Sequence, residues 1–109
     1  MVEGIRLDRV YSALAHPARR EILEIVGTAP GRVTELAQPF DMSLAAVSKH
    51  IRVLEEANLV RRTVRGRDHF LAAHPHGLDD AYQWIDGCRS FWESRIDALE
   101  QLFRNGGER

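Results

Sequence analysis

Apolar residues recur at three- and four-residue steps through most of the chain and alternate with polar ones in one short region. In segment 5–14, Leu7, Val10, Tyr11 and Leu14 share a helical face, while Arg6, Asp8 and Arg9 lie elsewhere on the wheel. His16-Pro17 punctuates this run, and proline suits the first turn of a helix, where its missing N–H is no loss. A second helix is predicted over 17–26, with Ile22, Leu23 and Val26 inward. Gly27-Thr28-Ala29-Pro30-Gly31 has the composition of a turn. A short helix over 33–38 follows, stopped by Pro39, with Val33, Leu36 and Ala37 able to pack and Thr34 and Glu35 facing out. Ser43 is a good N-cap ahead of the periodic run Leu44, Val47, Ile51, Leu54, which predicts a helix over 43–57. It ends near Ala57-Asn58, where asparagine tolerates a left-handed backbone.

The period then changes from helical to two-residue. Val60, Arg62 and Val64 alternate with Arg61, Thr63 and Arg65, and a second β-prone run covers 69–73. With Gly66 between them, the strands 59–64 and 69–73 form a predicted β-hairpin. After the linker His74-Pro75-His76-Gly77 the helical steps return over 78–103, through Tyr82, Ile85, Cys88, Trp92, Ile96, Leu99 and Phe103. Gly87 is where this run would kink or divide. The tail Asn105-Gly106-Gly107-Glu108-Arg109 is expected to fray. A short helix turned tightly onto a longer one, then a two-stranded ribbon, describes a mainly α winged helix-turn-helix, here one domain over 1–109.

Composition narrows the setting. The 109 residues are 44% hydrophobic and 28% charged, as in an ordinary globular domain. A single cysteine, Cys88, excludes an internal disulfide and an all-cysteine metal cluster, and fits a reducing, cytoplasmic setting. No apolar run is long enough for a membrane span, and Glu3, Arg6, Asp8 and Arg9 interrupt any signal-peptide core.

On the 43–57 helix, Val47, Ile51 and Leu54 point one way; Ala45, Lys49 and Arg52 point the other, with Ala46 and Ser48 flanking. Small residues near the N-terminus allow close approach to a major groove, and Lys49 and Arg52 reach phosphates or base edges. The plainer reading is a solvated outer face. Charge distribution decides between them. Total charge is −1, but Lys49, Arg52, Arg61, Arg62, Arg65 and Arg67 stand against only Glu55 and Glu56 between Ser43 and Arg67, a local +4. The remainder holds 9 basic and 14 acidic residues, or −5. Positive charge therefore gathers on the two elements a winged helix offers to DNA. The Arg65-Gly66-Arg67 tip suits phosphate or minor-groove contact, although a basic ribbon also protects an edge strand from aggregation.

Ala13-Leu14-Ala15-His16-Pro17-Ala18-Arg19-Arg20-Glu21-Ile22-Leu23, Thr34-Glu35-Leu36-Ala37, the run from Met42 to Glu55 and Ala57-Asn58-Leu59-Val60 resemble the ArsR/SmtB family of bacterial repressors. The resemblance covers roughly residues 5–75 and is most specific at Val47-Ser48-Lys49-His50-Ile51. It implies a dimer that occupies a promoter and leaves when an inducer binds, the inducer being unknown here. It implies DNA contact by Ser43, Ala45, Ala46, Ser48, Lys49, His50 and Arg52, joined by Arg65 and Arg67 of the wing. Leu44 stands where many members have glutamine, so the family's base preference is not carried over at that position.

The family's metal ligands are not reproduced. Val33, Thr34, Glu35, Leu36 and Ala37 occupy the short helix where thiolate sensors carry cysteines, and no histidine follows His76. No metal and no cofactor are expected, and Cys88 falls on an apolar stripe as a structural residue. His74 and His76 alone are too few for zinc.

The last predicted helix carries more apolar surface than a small domain can hide. Pairing Trp84, Ile85, Cys88, Trp92, Ile96 and Leu99 with a second copy, along with Leu7, Val10 and Tyr11 of the first helix, would bury it in a two-fold interface. Such a homodimer would set two recognition helices one DNA turn, ~34 Å, apart on a palindromic operator. No catalytic constellation or phosphate-binding glycine loop is present, so an enzyme is not expected. The rival reading is a winged helix for protein–protein contact, which has no need of the segregated basic charge.

Overall fold

His16 builds the first reversal of the chain. In the computed structural model, which describes residues 2–107, its Nδ1 accepts a hydrogen bond from the Ala18 N–H at 3.2 Å. Pro17 opens helix α2 (Pro17–Thr28) directly after this cap. Helix α1 (Val2–Leu14) ends just before it, and its last carbonyls are met by arginines of the next helix. Arg19 Nε donates to Ala13 O at 2.8 Å and Nη2 to Ser12 O at 2.9 Å; Arg20 Nη1 donates to Leu14 O at 2.7 Å. Two cations thus sit at the negative end of α1, where helix ends favour them.

The stretch after α2, expected to be only a turn, contains a strand. Gly31–Arg32 (β1) pairs antiparallel with Leu71 and Phe70. Two residues cannot display alternation, so only the partner strand makes this segment β. Helix α3 (Val33–Leu36) follows, shorter than the expected 33–38, and then α4 (Leu44–Glu56). Asn58 ends that turn with φ of 61°, the left-handed conformation its side chain tolerates. The wing strands are β2 (Val60–Arg65) and β3 (Asp68–Ala73), giving a three-stranded antiparallel sheet in the order β1-β3-β2. The register pairs Val60 with Ala73 and Arg65 with Asp68, leaving Gly66-Arg67 as a two-residue loop. Gly66 takes φ of 63° at the first central position, which suits a II′ hairpin.

The core lies where α1 and α2 meet α4 and where the sheet backs onto them. Ala13, Ile22, Val47, Ile51, Leu54 and Leu71 are fully buried, and no polar or charged side chain among the described residues is. Each such Val, Leu or Ile contributes about 1.5–3 kcal/mol relative to exposure. The segment after the wing closes onto the end of α4. His74 N–H donates to Leu59 O at 2.9 Å, and a Cβ on Gly77 would lie 2.6 Å from Asn58 O.

Contacts divide the chain into a unit up to Asp79, the winged helix, and one from Asp80 onward. The second is essentially helix α5 (Asp79–Gly107), 29 residues that run through Gly87 without a break. A lone helical glycine costs only about 1 kcal/mol against alanine, too little to interrupt so long a run. Asn105 to Gly107 continue the helix rather than fray, while Glu108 and Arg109 lie outside the described residues.

Candidate nucleic-acid interface

The N-terminal turns of α4 are exposed by their own sequence. Ser43 Oγ accepts from Ala46 N–H at 3.1 Å and caps the helix, and Ser43, Leu44 and Ala45 are exposed. Val47, Ile51 and Leu54 anchor it inward, while Ala45, Lys49 and Arg52 are exposed and Ala46 and Ser48 half-buried beside them. This is the small-residue start and cationic middle that a major-groove helix requires.

His50 does not share that face. It lies about 60° from Val47 at 100° per residue, close to the inward stripe. Its ring sits 4.3 Å from that of His16, and its Nδ1 is 3.2 Å from Arg19 Nη1. Burial first, then the neighbouring His16 and Arg19, lower its pKa from the ordinary 6.5. His50, expected at the groove, packs here against His16 and Arg19 and joins α4 to the start of α2.

The ribbon sorts its arginines by strand parity. Arg62 lies on the inner face with the buried Val60 and Leu71, and its guanidinium meets Glu55 in a fork at 2.7 and 3.2 Å. It also approaches His69 Nδ1 at 3.0 Å. Both partners of that ion pair are about a quarter to a third exposed, and together they tie the wing to α4. Arg62 and Glu55 thus cancel within the +4 segment. Arg61 and Arg65 lie on the outer face; Arg61 reaches His74 at 2.8 Å, and Arg65 sits 5.9 Å from the Phe70 ring. Among the described residues, no ion pair engages Lys49, Arg52, Arg65 or Arg67.

One basic residue at this surface escaped the charge count. Arg32, placed by β1 opposite Phe70, lies 5.6 Å from its ring and 3.7 Å from Asp68. It precedes the 43–67 window by eleven positions, and only the strand register brings it to the wing.

The residues expected to pair two copies divide differently. Val10, expected at the interface, is 6% exposed and belongs to the protomer's own core. Leu7, Tyr11 and Cys88 are half-buried. Trp84, Ile85, Trp92, Ile96 and Leu99 are more than half exposed on α5, as are Phe91, Leu102 and Phe103. Among the described residues no group of three His, Cys, Asp or Glu is gathered as ligands, and α3 presents Thr34 and Glu35.

A two-helix turn with a basic exposed recognition helix, flanked by a basic wing, defines a winged helix-turn-helix DNA-binding protein. A helix-turn-helix domain family matches residues 14–63. The chain is 34% identical over 101 residues to the HTH-type transcriptional regulator Rv2034 of Mycobacterium tuberculosis, covering 93% of this chain and 92% of that protein. It is 23% identical over 79 residues to the transcriptional repressor SdpR of Bacillus subtilis, covering 72% of this chain and 88% of that one. The crystal structure of the ArsR family transcriptional regulator RHA00566 superposes with a TM-score of 0.80 at 34% identity, covering 84% of this chain and 94% of that one. The chain belongs to the ArsR family of DNA-binding transcriptional regulators. Its relatives are regulators rather than enzymes.

Proposed function

We propose that the protein is a homodimeric repressor that occupies a palindromic operator. Ser43, Ala45, Ala46, Ser48, Lys49 and Arg52 enter the major groove, and Arg65 and Arg67 of the wing engage the flanking backbone or minor groove. The observation that carries the dimer is α5. Its exposed stripe of Trp84, Ile85, Trp92, Ile96 and Leu99 is continuous on one helical face. A helix with such a stripe gains its stability from packing, and a second copy is the partner always at hand. Leu7 and Tyr11 on α1 are a further part of the assigned intersubunit surface. Repression is supported by the likeness to SdpR, a transcriptional repressor.

Footprinting on the DNA around the protein's own gene tests this, together with sedimentation. Two protected half-sites one turn (~34 Å) apart and a dimeric mass are expected. A monomer at micromolar concentration would remove the dimer. Lys49→Ala and Arg67→Ala should each weaken duplex binding and reduce the slope of log K against log salt by about 0.9, with the dimer intact. If both variants bind as tightly as the parent at moderate salt, the assigned surface is wrong.

A further inference from the structure

We propose that Arg32 is a DNA-backbone contact held in reserve by Asp68: in free protein the carboxylate masks the guanidinium, and on DNA a phosphate takes its place. The inference rests on the reading of α4 and the wing as the DNA-binding surface and adds to it a third strand that the helix-turn-helix does not include.

The geometry sets up the exchange. Arg32 and Arg65 flank the same Phe70 ring at 5.6 and 5.9 Å, so two guanidinium groups share one small patch of the outer sheet face. The ring steers both cations without neutralising them. Asp68 is the carboxylate that opposes them, and it reaches Arg32 only at 3.7 Å, beyond hydrogen-bond length. Both side chains are about half exposed, 49% and 51%, so the pair is screened by water and does little for the fold. A contact this loose is easily given up. What can replace it is written in the adjoining groove. A cavity of about 270 Å³ between the wing and the start of α4 is lined by Arg32, Thr34, Ser48, Arg67, Asp68 and His69, among others. Arg62, which also lines it, is held by Glu55, but the guanidinium groups of Arg32 and Arg67 and two hydroxyls are able to donate to phosphate oxygens, which accept shorter and stronger charge-assisted bonds than the distant carboxylate.

The exchange also has a direction. A duplex that seats α4 correctly brings its phosphate to Arg32 and displaces Asp68. A duplex held loosely brings no phosphate within reach, so Asp68 stays on Arg32 and that guanidinium adds nothing to unmatched binding. Asp68 therefore lowers binding to unmatched DNA more than to the operator.

Fluorescence anisotropy over a range of salt tests this, with a mixed-sequence duplex and the footprinted operator duplex as probes. Arg32→Ala and Arg32→Gln (which keeps the stem over Phe70) should weaken operator binding about tenfold and flatten its salt slope by about 0.9. Asp68→Asn should tighten mixed-sequence binding several-fold and shrink the operator preference. In the Arg32→Ala background, Asp68→Asn should lose most of its effect, because the carboxylate acts through that guanidinium. Unchanged affinity and slope in both Arg32 variants would overturn the proposal, as would a full Asp68→Asn effect in the Arg32→Ala background. Lys49→Ala and Arg67→Ala separate the levels: if they lose affinity while the Arg32 variants do not, only this inference fails. If none of the four loses affinity, the DNA-surface reading fails with it.

Discussion

Arg19→Ala should loosen the joint between the first helix and the recognition helix, and the structure sets how far. Three bonds go at once. Those to Ala13 O at 2.8 Å and His50 Nδ1 at 3.2 Å are part-buried, and that to Ser12 O at 2.9 Å is exposed. Hydrogen bonds from a charged donor contribute about 1.5–3 kcal/mol when protected from water, and the exposed one is largely recovered by solvent. The Ala13 carbonyl stays partly covered after truncation, so it keeps a desolvation cost. The bonds to Ala13 O and His50 Nδ1 are only partly protected and count for about 1–1.5 kcal/mol each, so together these give a loss of about 2–3 kcal/mol. Arg20 is the internal control. It sits one residue on and carries the same charge at the same helix end, but makes one exposed bond, to Leu14 O at 2.7 Å. Arg20→Ala should cost about 0.5 kcal/mol. Urea unfolding at fixed protomer concentration reads the difference as a midpoint shift at constant m, since association would otherwise enter the measurement. Equal losses in the two variants would show that charge at the end of α1, rather than the fork linking α1 to α4, carries the stability.

Two further outcomes follow from the same contacts. His50 is held below its ordinary 6.5, by burial first and then by His16 and Arg19, so between the two values the unfolded chain binds more protons than the folded one. This contribution is complete above the unfolded pKa and is lost as pH falls from 6.5 through the lowered folded value. His50→Gln should remove that part of the acid slope in unfolding experiments, and an unchanged slope would refute the assignment. Gly77→Ala should destabilise by about 1–3 kcal/mol, because its Cβ meets the Asn58 carbonyl and the Leu59 backbone, whereas Gly87→Ala meets nothing within 4 Å and should stabilise α5 by about 0.5–1 kcal/mol. A reversed order of thermal midpoints would count against both placements.

Local rules carried much of this molecule. Helical spacing, the Ser43 cap, Asn58 at a left-handed position and Gly66 in the wing turn are properties of a few consecutive residues, and each has the conformation its chemistry favours. Parity along β2 likewise separated Arg62 from Arg61 and Arg65 before any fold was known. The segregation of positive charge onto residues 43–67 is a statement about sequence alone, and it pointed to DNA despite a net charge of −1. What sequence could not supply was pairing between distant segments. β1 exists because Leu71 and Phe70 are beside it, and Arg32 joins the wing for the same reason. His50 has the basic residues Lys49 and Arg52 near it in sequence yet turns to His16 and Arg19, because its place on the wheel lies near the buried stripe and α2 fills the space there. Val10 repeats on the same face as Leu7 and Tyr11, and periodicity cannot say which of the three meets its own core. Local conformation is set by short-range sterics and hydrogen bonds, which a sequence displays directly. Which charges are free, masked or paired depends on contacts closed across the fold, and those belong to the tertiary structure.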